Sequence, residues 1–251
     1  MNKTKKWLVY IFMAGWVLML ASIAGIRWAN VPVALGMSIF FCGALVATAY
    51  GLFTLPVVLF KTLLRKQAAS RTWAFCLLGL LPLVIMLLTI GVTGLRAPAI
   101  HDITTDTANP PQLLLAAEQR TARDHSTQYG GTVIARLQAR YYPHIEPLII
   151  EASHTAVLNA VKSVATEMKW QQLGIRQPST QSTEQLPVIA VLEATASSRI
   201  FGFKEDIAVR LSGEDGRIQV DIRSASRTGL GDRGSNAKRI KAFENRLKEK
   251  I

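Results

Sequence analysis

His101-Asp-Ile-Thr-Thr-Asp106 places an imidazole, two carboxylates and two hydroxyls within six residues, a set suited to acid–base chemistry or to holding a cation. The same residue types build turns, because Asp and Thr side chains accept hydrogen bonds from nearby backbone amides. Turn chemistry is the favoured reading of this cluster. His101, Asp102 and Asp106 nevertheless stand as the candidate catalytic residues, since catalytic groups assemble in space and not in sequence.

A second chemistry-bearing group lies near the C-terminus: Arg210, Arg223, Arg227, Asp232, Asn236 and Arg239. Guanidinium forks bind carboxylate and phosphate oxygens in pairs, so this group is the candidate ligand-binding set, for an anion. Within it, Gly229-Leu-Gly-Asp-Arg-Gly234 spells G-x-G-x-x-G between a predicted strand and a predicted helix. A dinucleotide site is disfavoured, because the fingerprint needs a following parallel strand and an acidic residue about 20 positions on. Two readings remain. Amides at the start of the last helix, with Arg227, Arg233 and Arg239 nearby, bind a phosphate or carboxylate; or the glycines make left-handed turns, Asp232 or Ser235 caps the helix, and the arginines are solvated or paired to Asp221 and Glu244. Base rates for caps favour the second.

Other chemistries find little support. Ser224 and Ser226 have no sequence-adjacent base, and His101, His125, His144 and His154 show no metal-ligand spacing. Cys42 and Cys76 fall inside apolar runs and behave as small hydrophobes. No metal and no cofactor is expected.

The elements that must position these residues lie in the second half of the chain. Ser153 to Lys169 predicts an amphipathic helix capped by Ser153, with Val157, Val161, Val164 and Met168 facing the core. Leu186 to Thr195 is rich in strand formers. Asp206 to Leu211 and Arg217 to Arg223 each alternate apolar and polar residues around Ser212-Gly-Glu-Asp-Gly216, which predicts a hairpin. Pairing Leu211 with Ile218 would set Asp206 opposite Arg223 and Arg210 opposite Gln219 on a polar face, an ion pair worth about 0.2–1 kcal/mol with no functional role. Ser235 to Ile251 predicts a terminal helix with Ile240, Phe243, Leu247 and Ile251 on one stripe.

The first hundred residues contain no Asp or Glu. Trp7–Ile26, Val31–Phe60 and Thr72–Leu95 are apolar runs free of Asp, Glu, Lys, Arg and His, each long enough at 1.5 Å per residue to cross about 30 Å of hydrocarbon. The first is read as a retained helix over a cleaved signal peptide, being longer than a typical signal core and followed by two more spans. The second is expected to span from about Pro32 to about Leu55 and then turn along the interface; the third, with Pro82, is expected to be one helix. Lys3, Lys5, Lys6, Lys61, Arg65, Lys66 and Arg71 fall on one side and only Arg27 and Arg96 on the other. The excess of Lys and Arg places the N-terminus in the cytoplasm and the region after Leu95 across the inner membrane, in the periplasm of a Gram-negative cell. From 101 onward 20 basic residues meet 17 acidic ones, so the formal net charge of +12 is largely a topology signal and no nucleic-acid partner is expected. The absence of charge within the runs argues against ion-coupled transport.

The expected organisation is a three-helix transmembrane region over 1–96, an extended linker over 97–112, and a soluble α+β domain over 113–251 with an antiparallel sheet flanked by helices. His101 to Asp106, Tyr142-Pro-His-Ile-Glu-Pro147, Met168-Lys-Trp170, Glu193-Ala-Thr195, Phe201-Gly-Phe-Lys-Glu-Asp206, Asp221 to Arg227 and Gly231 to Ile240, taken in order, resemble the bacterial family called domain of unknown function 1499, over roughly His101 to Leu247. The resemblance implies one α+β domain and a shared polar set: Asp206, Arg210, Asp221, Arg223, Ser224, Ser226, Arg227, Asp232, Asn236 and Arg239. Members often carry an acidic residue where His144 stands. It implies no reaction. The expected function is a non-catalytic, membrane-tethered envelope module for binding or assembly, its partners the lipid bilayer and an envelope protein or anionic ligand engaged through the arginine-rich strand-to-helix surface. The alternative is a hydrolase or transferase on a phosphate-bearing substrate, with His101, Asp102 or Asp106 as acid or base and Arg223 and Arg227 as anion clamps. That alternative requires the His101–Asp106 motif and both arginines to converge on one pocket.

Overall fold

In the computed structural model the described residues are 3–64, 70–95, 97–177, 186–229 and 231–251. Arg65, Lys66 and Arg96, invoked above for orientation, and Leu230 of the glycine loop lie outside them. The chain divides into two compact units, Met1–Leu95 and Arg96–Ile251.

The first unit consists of helices α1 (Lys3–Trp28), α2 (Val33–Leu59) and α3 (Ser70–Leu95), and all three are long and apolar enough to cross a membrane. Helix α2 does not turn near Leu55 as expected. Pro56 lies inside it, and the chain continues as a π-helical turn over Phe60–Leu64. A proline within a helix removes one i→i−4 hydrogen bond without ending the helix where the flanking residues are strongly apolar. The helices meet at glycines. A Cβ on Gly15 would come within 2.9 Å of the Gly43 carbonyl oxygen, and one on Gly79 within 2.7 Å of the Gly51 Cα. Small residues of this kind let helix backbones approach in lipid, where the hydrophobic effect does not drive association.

The second unit is a six-stranded, wholly antiparallel sheet of β1 (Asp102–Thr104), β2 (Leu148–Ile150), β3 (Gln171–Arg176), β4 (Val188–Ser197), β5 (Lys204–Glu214) and β6 (Arg217–Ser226). The strand order is β1-β6-β5-β4-β3, with β2 also pairing with β6. Helices α6 (His154–Glu167) and α7 (Ser235–Lys248) cover one face; the short α4 (Leu114–Ala117) and α5 (Gly131–Tyr141) complete the unit. Ser153 caps α6 by accepting from the Ala156 amide, as its position before the apolar stripe predicts. Ile207, Val209, Leu211, Ile218, Val220 and Ile222 meet Val157, Val161, Val164, Ile240, Phe243 and Leu247 in the main core, where Trp170 stacks on Phe243 at 5.1 Å. Ile251 is not part of that stripe; it lies beyond the end of α7 and is exposed.

The hairpin register differs from expectation by two residues. Leu211 pairs with Val220, Asp206 with Ala225, Arg210 with Asp221, and Arg223 with Ala208. The strands run on through Ser212, Gly213 and Glu214, so the turn is only Asp215-Gly216 between the paired Glu214 and Arg217. Reading all five polar residues as loop shortened both strands. Residues 102–104, expected within an extended linker, instead form an edge strand on β6, with Ile103 fully buried in the main core.

Candidate functional site

Strand alternation puts Asp206, Ala208 and Arg210 of β5 on the sheet face away from α6 and α7, together with Asp221, Arg223 and Ala225 of β6, Glu193 of β4 and Asp102 of β1. Such a polar face normally meets water. Here residues 105–129 fold across it, and Leu113 and Ala116 pack on Val191, Ala208 and Ala225. The charged groups between them are therefore buried, and burial requires that each find a partner.

They do so as arginine–carboxylate clusters. The Arg223 guanidinium donates from Nε and Nη2 to both oxygens of Asp102 at 3.0 and 2.7 Å, and to the carbonyls of Pro111 and Thr127. Arg210 reaches Asp106 at 2.8 Å and Asp221 at 2.9 Å. Arg227 grips Asp206 at 2.8 Å, and Arg120 binds the other Asp206 oxygen at 2.8 Å. The Thr195 hydroxyl donates to the same Asp206 carboxylate. On β4, Glu193 pairs with Arg176 and accepts the amides of Leu114 and Ala116, fixing the first turn of α4 on the sheet.

Asp106 also accepts the amides of Ala108 and Asn109, the backbone bonds expected of a turn residue. The His101–Asp106 motif thus meets the arginines, but not at one point: Asp102 goes to Arg223, Asp106 to Arg210, and Arg227 takes Asp206. His101 stacks on His125 with ring centroids 4.0 Å apart. Burial, then the neighbouring His125, pushes the His101 pKa below its ordinary value, against the opposing pull of Asp102.

Asp232, Asn236 and Arg239 belong to a separate cluster on the α7 side. The Asp232 carboxylate accepts the amides of Gly234 and Asn236, capping α7, while Gly229 and Gly234 take positive φ. Burial raises the Asp232 pKa, and those amide bonds oppose the rise. Arg239 donates to Glu205, Ser224 and Asn236, and Asn236 also holds the His101 carbonyl and the Ser226 hydroxyl. Of the arginines around the glycine loop, Arg227 therefore pairs with Asp206 and Arg239 with Glu205, not with Asp221 and Glu244. The glycine loop leads to a capped helix beside an antiparallel sheet, without the parallel strand that a dinucleotide fingerprint needs.

A cleft beside Arg223 borders the buried network. Its volume is about 320 Å³, and residues 110 and 112–114 with 126–129 and Arg223 line it. Of the six sequence-selected ligand residues, Arg223 alone borders it. Tyr129 was not marked by the sequence, having no motif around it. Its ring lies 5.7 Å from the Arg223 guanidinium, and its buried hydroxyl has no hydrogen-bond partner among the described residues. Burial and Asp102 push that phenol up to about 12, so it is a neutral donor near pH 7. Arg223 itself is 3 % exposed and uses one of the two Nη1 protons, on Pro111. The cleft thus presents a phenolic O–H and a guanidinium edge among the hydroxyls and amides of Gln112, Ser126, Thr127 and Gln128. No group of three or more His, Cys, Asp and Glu suited to a metal occurs among the described residues.

The family described as "Protein of unknown function (DUF1499)" matches the chain over residues 102–247, from the first residue of β1 into α7. No curated protein matches the chain.

Proposed function

We propose, for a chain that belongs to the DUF1499 family, that it is a non-catalytic, membrane-anchored binding module of the cell envelope, and that its C-terminal unit engages an anionic group of a ligand or partner at the Arg223–Tyr129 cleft. The observation that carries this reading is the Tyr129 hydroxyl: buried, held neutral, bordering a cleft, and without a partner among the described residues. An unpaired buried donor costs roughly 1–3 kcal/mol, which an acceptor oxygen from a ligand would recover. The enzyme alternative has no such support. Of its candidate acids or bases, Asp102 and Asp106 both have oxygens engaged by guanidinium groups, His101 stacks on His125 and does not line the Arg223 cleft, and its two anion clamps lie in different clusters. Positioned as they are, these groups hold residues 105–129 on the sheet.

Three apolar helices support membrane insertion. The Lys and Arg excess around the first span and the second connection supports a cytoplasmic N-terminus, with the C-terminal unit in the periplasm. The reading is tested by native mass spectrometry of the full chain extracted from its own membranes. Wild type should carry a bound species that Tyr129→Phe loses, because that substitution removes the donor and keeps the ring.

A further inference from the structure

Two imidazoles stand face to face next to the groups that build the cleft. The His101 and His125 rings are stacked, with 4.0 Å between centroids and 18° between planes, and both residues are half-buried. His101 directly precedes Asp102, whose carboxylate holds Arg223. His125 directly precedes Ser126–Tyr129, which form one wall of the cleft.

His125 is also where the covering segment 105–129 is fastened at its far end. Its amide donates to the Arg227 carbonyl at 2.7 Å, and its own carbonyl accepts from Arg120 at 2.6 Å. Its ring nitrogen Nε2 lies 2.8 Å from the Gly229 carbonyl. A carbonyl only accepts, so Nε2 carries the proton and Nδ1 is left to take another. Beyond His125, the Thr127 carbonyl accepts from Arg223 at 2.7 Å, which holds the wall against the sheet.

Charged groups face the pair from each element around it: Asp102 of β1, Asp232 of the glycine loop and Arg120 of the covering segment. The Arg227 guanidinium at the end of β6 is turned to Asp206, and the Asp124 carboxylate is turned back on Thr121. Asp102 has both oxygens on Arg223, and Asp232 has both on the amides that cap α7, so neither carboxylate is free to move between the rings. Burial and His125 keep His101 neutral near pH 7, and the stack is then uncharged at its first ring. In acid, two unit charges 4.0 Å apart would repel even in the partly screened surroundings of a protein surface, with Arg120 adding to the repulsion.

We propose that the His101–His125 stack is a pH-operated latch on the Arg223–Tyr129 cleft: acid charges both imidazoles, the rings part, and the segment from His125 to Tyr129 lifts from the sheet, unseating Thr127 from Arg223 and dismantling the wall. The module therefore holds its ligand near pH 7 and releases it in acid. This regulation rests on the cleft being the binding site, whereas the opening itself does not need a ligand.

The test is hydrogen exchange of the full chain in detergent micelles, followed by mass spectrometry in a peptide covering residues 121–129 and corrected for the intrinsic pH dependence of exchange. Between about pH 7.5 and about pH 5, where imidazole changes charge, protection of this peptide in wild type should fall at least tenfold while the β4–β5 ladder stays protected. His101→Phe, which keeps a stacking ring and cannot take a proton, should hold its protection across the range, and His101→Gln should do the same. Undiminished protection of wild type at the lower pH would overturn the latch. So would an equal loss in both His101 variants, or a loss shared in full by the β4–β5 ladder. Because exchange is read without ligand, failure here leaves the cleft reading standing, and a bound species retained by Tyr129→Phe would remove that reading while leaving the opening intact.

Discussion

At the scale of single residues, the decisive fact is that charge marked by the sequence as a possible site is spent on internal pairing. Asp206 is fully buried and takes two guanidinium groups, Arg120 and Arg227, plus the Thr195 hydroxyl. Breaking a buried pair from one side costs about 3–5 kcal/mol, because it leaves uncompensated charge in low dielectric. Asp206→Asn should therefore lower the stability of the C-terminal unit by that amount, read as a fall of roughly 6–20 °C in its melting temperature at the 2–4 °C per kcal/mol usual for a unit of this size. Replacing the exposed Glu214 with Gln should leave it within a degree or two. His101 gives a pH signature. Its folded pKa lies below the ordinary value of 6.5, so the unfolded chain takes the proton first. Its contribution is complete above the ordinary value and is lost as pH falls from there toward the folded value. Denaturant titrations between pH 7 and 5 should show stability declining in wild type, with a shallower decline in His101→Gln.

At the scale of elements, much was legible where alternation or helical spacing met a simple core. The α6 stripe, its Ser153 cap, the β5–β6 hairpin and the α7 stripe up to Leu247 all follow from period and caps. The register was not, because Ser212-Gly-Glu looks like loop, and polar strand ends cannot be told from turns without their partner. Nor was β1 legible. Asp102–Thr104 is a three-residue strand between turn-forming residues, and its outer edge is completed by a side chain: the Gln138 carboxamide accepts the Thr104 amide at 3.0 Å and donates to the Thr104 carbonyl at 2.6 Å. A glutamine in a helix carries no sequence sign of standing in for a neighbouring strand. Gln138→Ala should leave both Thr104 groups unpaired in a buried place, at a cost of roughly 1–3 kcal/mol each. Hydrogen exchange at Thr104 should accelerate by tenfold or more, while the β4–β5 ladder stays protected.

At the scale of the whole molecule, the chain joins an apolar, acid-free unit to one whose buried sheet-face charges are paired with one another. The membrane unit was the more legible, since length and hydropathy alone decide whether a helix can span. The candidate site was the less so. The alternating polar residues of β5 and β6 read as a solvated surface, whereas residues 105–129 cover them, and the cleft depends on Tyr129, which no spacing rule selects. Orientation is tested by alkaline phosphatase fused after Ile251: activity is expected, and an expressed but inactive fusion would place the C-terminal unit in the cytoplasm. The central claim is that the Arg223–Tyr129 cleft, and not the arginines leading into α7, is where the module engages its ligand. Native mass spectrometry of the full chain extracted from its own membranes tests it most directly, comparing wild type with Tyr129→Phe and Arg239→Lys. A species bound to wild type and Arg239→Lys but reduced at least tenfold in Tyr129→Phe is the predicted result. A species retained by Tyr129→Phe and lost from Arg239→Lys would contradict it.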